Sequence, residues 1–119
     1  MGFGAKGRKL GRDTGERSAL FRQLLSSLML HDRIVTTEAK AKETKKIADG
    51  LISLALRGDL HARRQVNRLL LDRAARQRLF TEVVPRYRAG QGGYTRVIKT
   101  RRRRGDSAPM ALVELVSAP

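Results

Sequence analysis

The side chains of this sequence best equipped for chemistry are its arginines. Arg101, Arg102, Arg103 and Arg104 stand consecutively, and with Arg86, Arg88, Arg96 and Lys99 they put eight bases between residues 83 and 105 without one Asp or Glu. A second acid-free stretch, residues 1–12, holds Lys6, Arg8, Lys9 and Arg12. Nineteen of the 26 bases are arginine, whose planar fork can bond two phosphate oxygens at once. The remaining residues carry 14 bases against 11 acids, so a nearly balanced body bears two cationic stretches and a formal net charge of +15. Such a distribution concentrates positive potential and points to a polyanionic partner. Phe3, Phe21, Phe80, Tyr87 and Tyr94 are the whole aromatic supply, too few for a surface that stacks bases in succession. The expected mode is phosphate and groove-shape recognition of folded nucleic acid.

Other chemistries fail on spacing. Gly2-Phe3-Gly4-Ala5-Lys6-Gly7 fits G-x-G-x-x-G, but only Met1 precedes it, where a dinucleotide fingerprint needs a buried strand. Arg8 stands where a P-loop needs lysine, and the Gly-Phe-Gly start of an RNA-recognition signature lacks its Phe-Val continuation. His31 and His61 have no neighbour at ligand spacing, and with no cysteine there is no basis for a zinc site, thiol catalysis or disulfides. Arg104-Gly105-Asp106 is read as a basic turn. Glu38 and Glu43 are spaced to pair with lysines, and Ser26 and Ser27 have no nearby base. Neither an enzyme, a cofactor, a metal nor a small-molecule substrate is expected.

These bases need a body to hold them. Leu, Ile, Val and Phe make up 30 of 119 residues, enough for a small core in one domain. Asp13 and Glu16 suggest a capping box for a helix over about 15–31, buried through Leu20, Phe21, Leu24, Leu25, Leu28 and Met29. Ser18, Arg22 and Ser26 lie on its opposite face, where Arg22 can reach a partner. Ile34 to Thr37 is β-branched and predicts a short strand, with Thr37 able to cap a helix over 38–57 whose buried stripe is Ile47, Ala48, Leu51, Ile52, Ala55 and Leu56. Gly58 stops that helix, Asp59 caps another over 60–71, and Asp72 caps a fourth over 73–84 that Pro85 ends. After a loop through Gly90, Gly92 and Gly93, Tyr94–Thr100 and Met110–Val116 predict a C-terminal antiparallel hairpin with the basic turn 101–107 at its tip.

The expected fold is α+β in the order α-β-α-α-α-β-β, a small sheet packed against about four helices. Its organisation is a basic arm at 1–12 and one domain over 13–119. No apolar run is long enough for a membrane span or a secretory signal, so a cytoplasmic or, less simply, an organellar protein is expected, without membrane insertion.

With these residues laid out, the chain resembles the bacterial-type large-subunit ribosomal protein L-seventeen family along nearly its whole length. The resemblance rests on Gly7-Arg8-Lys9-Leu10 with Arg12 and Arg17, on Arg33-Ile34-Val35-Thr36-Thr37 leading to Ala39-Lys40-Ala41-Lys42-Glu43, and on Gly58-Asp59-Leu60-His61-Ala62-Arg63-Arg64. It continues through Pro85-Arg86-Tyr87, Gly92-Gly93-Tyr94-Thr95-Arg96, and Arg103-Arg104-Gly105-Asp106 with Ala108, Met110 and Ala111. Departures fall at Met1-Gly2-Phe3 and Thr14-Gly15-Glu16. The resemblance implies a non-catalytic role: binding large-subunit ribosomal RNA near the exit of the nascent-peptide tunnel, beside other ribosomal proteins. The candidate RNA-binding residues are then Lys6, Arg8, Lys9, Arg12, Arg17, Arg22, Lys40, Lys42, Arg63, Arg64, Arg86, Arg88, Tyr94, Arg96, Lys99 and Arg101 to Arg104.

A competing reading uses the helices at 60–71 and 73–84 as a DNA-binding helix-turn-helix. A third, attachment to anionic membranes, lacks a long basic amphipathic helix with aromatic anchors.

Overall fold

The structure is a computed structural model and describes residues 14–88, 90 and 93–116. Helix α1 (Thr14–His31) leads through Asp32 into strand β1 (Arg33–Thr37), which runs directly into α2 (Glu38–Arg57). Two shorter helices follow, α3 (Leu60–Leu69) and α4 (Arg73–Arg78), and then the strands β2 (Thr95–Arg102) and β3 (Pro109–Leu115). The expected order of elements is the observed one, and the fold is α+β.

Local chemistry sets most boundaries. Gly58 takes the left-handed conformation at φ 70° that closes α2, and the carboxylates of Asp59 and Asp72 accept the N–H groups of Ala62 (2.7 Å) and Ala75 (3.0 Å) at the starts of α3 and α4. Thr37 occupies the N-cap position of α2, but its hydroxyl makes no cap bond. It is also the last residue of β1, opposite Met110, so its conformation is set by the sheet. Asp13, half of the expected capping box, lies outside the described residues.

Two elements differ from expectation. The predicted helix over 73–84 is α-helical only to Arg78. It then widens into a π-helical turn over Leu79–Val83 and tightens into a 3-10 turn over Val84–Arg86. Pro85 has no N–H to donate and its ring would strike the carbonyl four residues back in an α-helix, so the chain changes pitch before reaching it. The second difference is at the hairpin. Strand β2 continues through Arg101 and Arg102 because a bulge between Lys99 and Arg102 absorbs one residue and brings Arg102 opposite Pro109. The turn proper is therefore 103–108, shorter than the 101–107 tip expected at its start.

The sheet is antiparallel throughout, in the order β1-β3-β2. Its inner face carries Ala111, Val113 and Leu115 of β3 against a core of Leu25, Leu28 and Met29 from α1, Leu51 and Ile52 from α2, Val66 and Leu70, and Leu79 and Val83 of the π turn. Of the expected stripes, Leu20 and Leu24 of α1 and Ile47 and Leu56 of α2 are only half-buried.

Candidate nucleic-acid interface

At the hairpin tip the Arg103 N–H donates to the Ala108 carbonyl (2.8 Å) and the Ser107 N–H to the Arg103 carbonyl (3.0 Å), while Gly105 (φ 95°) and Ser107 (φ 57°) turn the chain. Inside this loop Asp106 accepts from Arg103 Nε (3.1 Å) and Nη2 (2.6 Å) and from the Ala108 N–H (3.1 Å). The Arg103 guanidinium, helped by the Ala108 N–H, pulls the Asp106 carboxyl down to about 2. Arg102 Nη1 donates to the Ser107 carbonyl (3.0 Å). Two of the four consecutive arginines thus brace the turn. Arg101 and Arg104 are exposed with no anionic partner among the described residues.

The base of the hairpin is held from α2. Asp49 Oδ1 accepts from the N–H of Tyr94 (3.1 Å), the N–H of Thr95 (3.1 Å) and the Thr95 hydroxyl (2.9 Å), and Oδ2 accepts from Lys45 Nζ (2.8 Å). Tyr87 donates its phenol to the Val116 carbonyl (2.7 Å), and the Tyr87 and Tyr94 rings meet edge to face at 5.3 Å. Burial pushes the Tyr87 phenol above its ordinary range. Tyr94 is 5% exposed, its ring enclosed by the fold. Its phenol points to the Arg88 carbonyl (3.4 Å).

The other candidates divide by what holds them. Arg86 bonds Asp32 through Nη1 (3.1 Å) and Nη2 (3.5 Å), and Arg78 reaches the same carboxylate (3.0 Å) and also the Met29 carbonyl, so Arg86 serves an internal clamp and is half-buried. The clamp lowers the Asp32 carboxyl, chiefly through its bond to Arg78. It fixes a residue at φ 68° that closes α1, donates its N–H to Leu28 (2.9 Å) and accepts from the Leu115 N–H (2.9 Å). Arg96 bonds Glu114 across the sheet, and Lys42 (3.1 Å) and Lys99 (3.7 Å) converge on Glu38, lowering its carboxyl chiefly through Lys42. Arg63 lies over the Phe80 ring at 5.1 Å and donates to the Gly58 carbonyl (3.3 Å). Arg64 and Arg88 are exposed, whereas Lys40 and Arg22 are half-buried, Arg22 in a groove with Leu30, Ser26 and Leu71. Lys6, Arg8, Lys9 and Arg12, with the side chain of Arg17, lie outside the described residues.

Sequence reasoning passed over Asp32, Asp49 and Arg78, whose partners are far along the chain. It also passed over Arg68 and Arg73, exposed bases without an anionic partner among the described residues. An exposed base on a polar helix face was the available signal for the last two.

The arrangement suits electrostatic binding. The groove between α2 and β2, of about 480 Å³, sets Lys42, Lys45, Lys46 and Lys99 against Glu38, Glu43 and Asp49, an excess of only one base. No group of His, Asp and Glu among the described residues could hold a metal ion, and no described helix is long and apolar enough to cross a membrane. The second helix of the helix-turn-helix reading is α-helical for only six residues, about 9 Å, before its pitch changes.

The family described as "Ribosomal protein L17" matches residues 20–116. The chain is 59% identical over 111 residues to the large ribosomal subunit protein bL17 of Thermus thermophilus, covering 92% of this chain and 94% of that one. It is 54% identical over 112 residues to the same protein of Symbiobacterium thermophilum (94% and 99%), and 50% identical over 117 residues to that of Syntrophobacter fumaroxidans (98% and 78%). The match spans the helices, the sheet and the hairpin alike, and the chain belongs to the ribosomal protein L17 family.

Proposed function

We propose that this chain is a structural component of the large ribosomal subunit, not an enzyme, and that it binds folded ribosomal RNA through its N-terminal basic stretch and the tip of the β2–β3 hairpin. The observation that carries the reading is the division of labour at the tip: Arg102 and Arg103 brace the turn, and Arg101 and Arg104 stand exposed beside it. A preformed turn holding unpaired guanidinium groups loses little freedom when phosphates bind. Similarity to large-subunit relatives supports a ribosome-bound, cytoplasmic protein of the translation machinery, and the family resemblance supports a place near the tunnel exit among other ribosomal proteins.

Binding of the full chain to large-subunit ribosomal RNA, with duplex DNA as competitor, tests the proposal. Neutralising about six phosphates gives a log-log salt slope of about −5 on a duplex and a shallower one on single strands. Retention of the RNA against excess DNA is the expected result. Equal displacement by DNA would favour a nucleoid-type protein.

A further inference from the structure

The helices cover one face of the sheet and leave the other open. Along β1, β3 and β2 the register sets Ile34, Val113 and Val97 in one row facing the core, so the alternating rows point outward. These outward rows are Arg33, Glu114 and Arg96, then Val35, Leu112 and Ile98, with Met110 opposite Thr37 beyond them. Val35 is 60% exposed and Ile98 43%. Three aliphatic side chains therefore line up on the open face of the sheet, next to a row with two arginines. Arg96 is bonded to Glu114, whereas Arg33 has no anionic partner among the described residues.

We propose that this open face is a protein-docking surface, occupied by an apolar segment of another large-subunit protein that brings a carboxylate to Arg33. It rests on the ribosomal reading above. Three other occupants fit worse. RNA-reading sheets stack bases on aromatic side chains, and these rows contain none, while Val35, Leu112 and Ile98 offer nothing to a phosphate. A second copy would press one +15 chain against another. The patch, three strands about 10 Å across and five residues of β1 about 17 Å long, is also far below the ~800 Å² per partner of a standard interface. Residues 1–12 of the chain itself carry four bases and no acid, the wrong charge for Arg33. A short apolar segment with an acidic residue matches both the strip and its rim.

Because the chain has no cysteine, Val35→Cys gives it a single thiol on this face. The full-length variant is assembled into large subunits in cells and the gradient-purified subunits are treated with maleimide; for crosslinking, the free variant chain is first labelled with a thiol-reactive benzophenone, then reconstituted into large subunits and irradiated. The expected result is a thiol that reacts in the free chain, loses its reactivity in the subunit, and crosslinks to a different protein in an adduct resistant to ribonuclease. Arg33→Glu added to the same variant should lower the yield of that adduct. Ile98→Cys supplies a second reporter should position 35 disturb the sheet. A thiol fully reactive in the subunit, an adduct removed by ribonuclease, or one at twice the mass of the chain would each overturn the proposal while leaving the ribosomal reading intact. Absence of both variant and parent from large subunits would overturn the two together.

Discussion

Asp49 grips Thr95 twice through one oxygen, accepting its backbone N–H at 3.1 Å and its hydroxyl at 2.9 Å, and so fixes the first residue of β2 to the middle of α2. Thr95 is 3% exposed, and its donors have no water to turn to if the carboxylate is removed. The hairpin that carries Arg101 to Arg104 leaves the helical body from this point.

Replacing Asp49 with alanine is expected to cost about 1–3 kcal/mol, since it strands the buried donors of Tyr94 and Thr95. Asp49→Asn keeps an acceptor oxygen and should cost less. Urea unfolding midpoints of the two variants check the order, and an Asp49→Ala midpoint equal to the parent's would remove Asp49 as the anchor.

Arg101→Ala with Arg104→Ala should weaken RNA binding and make the salt slope shallower by about 2, the share of two phosphate contacts, without moving the unfolding midpoint. Arg103→Ala acts differently. It releases Asp106 and loosens the turn, so the tip amides should exchange faster with solvent. Binding titrations at several salt concentrations and hydrogen exchange distinguish the two effects.

Acid should undo two carboxylate contacts in a set direction. The folded values of Asp32 and Asp106 lie below the ordinary 3.8, so the native state binds fewer protons than the unfolded one. Their stabilising effect is complete above that ordinary value and is lost as pH falls, through about 2 for Asp106. Carboxyl NMR titration should put Asp106 at about 2 in the parent and return it toward 3.8 in Arg103→Ala.

What could be read from the sequence was what neighbours decide. Gly58, Asp59 and Asp72 punctuate the helices through bonds that span four residues or fewer, and their places were legible. The hairpin was legible because its strands are consecutive. The clamp on Asp32 was not: its partners Arg78 and Arg86 are 46 and 54 residues away, and nothing local marks an aspartate that will take a left-handed conformation. The same holds for Asp49, 46 residues from Thr95. Charge showed that the 83–105 region was basic but not how the bases divide, with Arg86 and Arg96 bonded within the fold and Tyr94 turned inward.

Core packing gives an independent control. Leu25 is fully buried, whereas Leu24 beside it is half-buried, so Leu25→Ala should cost about 2–5 kcal/mol and Leu24→Ala less. Thermal or urea unfolding reads the difference. The RNA-binding salt slope of folded Leu25→Ala protein should match the parent.

The most direct measurement is sedimentation. A lysate is run on a sucrose gradient at moderate salt, the chain is followed by mass spectrometry, and the Arg101→Ala, Arg104→Ala variant is run in parallel. Stoichiometric migration of the parent with large subunits, reversed by high salt or ribonuclease and weakened in the variant, is the expected result. Recovery of the parent chiefly with DNA or in the light fractions would contradict a ribosomal RNA-binding role.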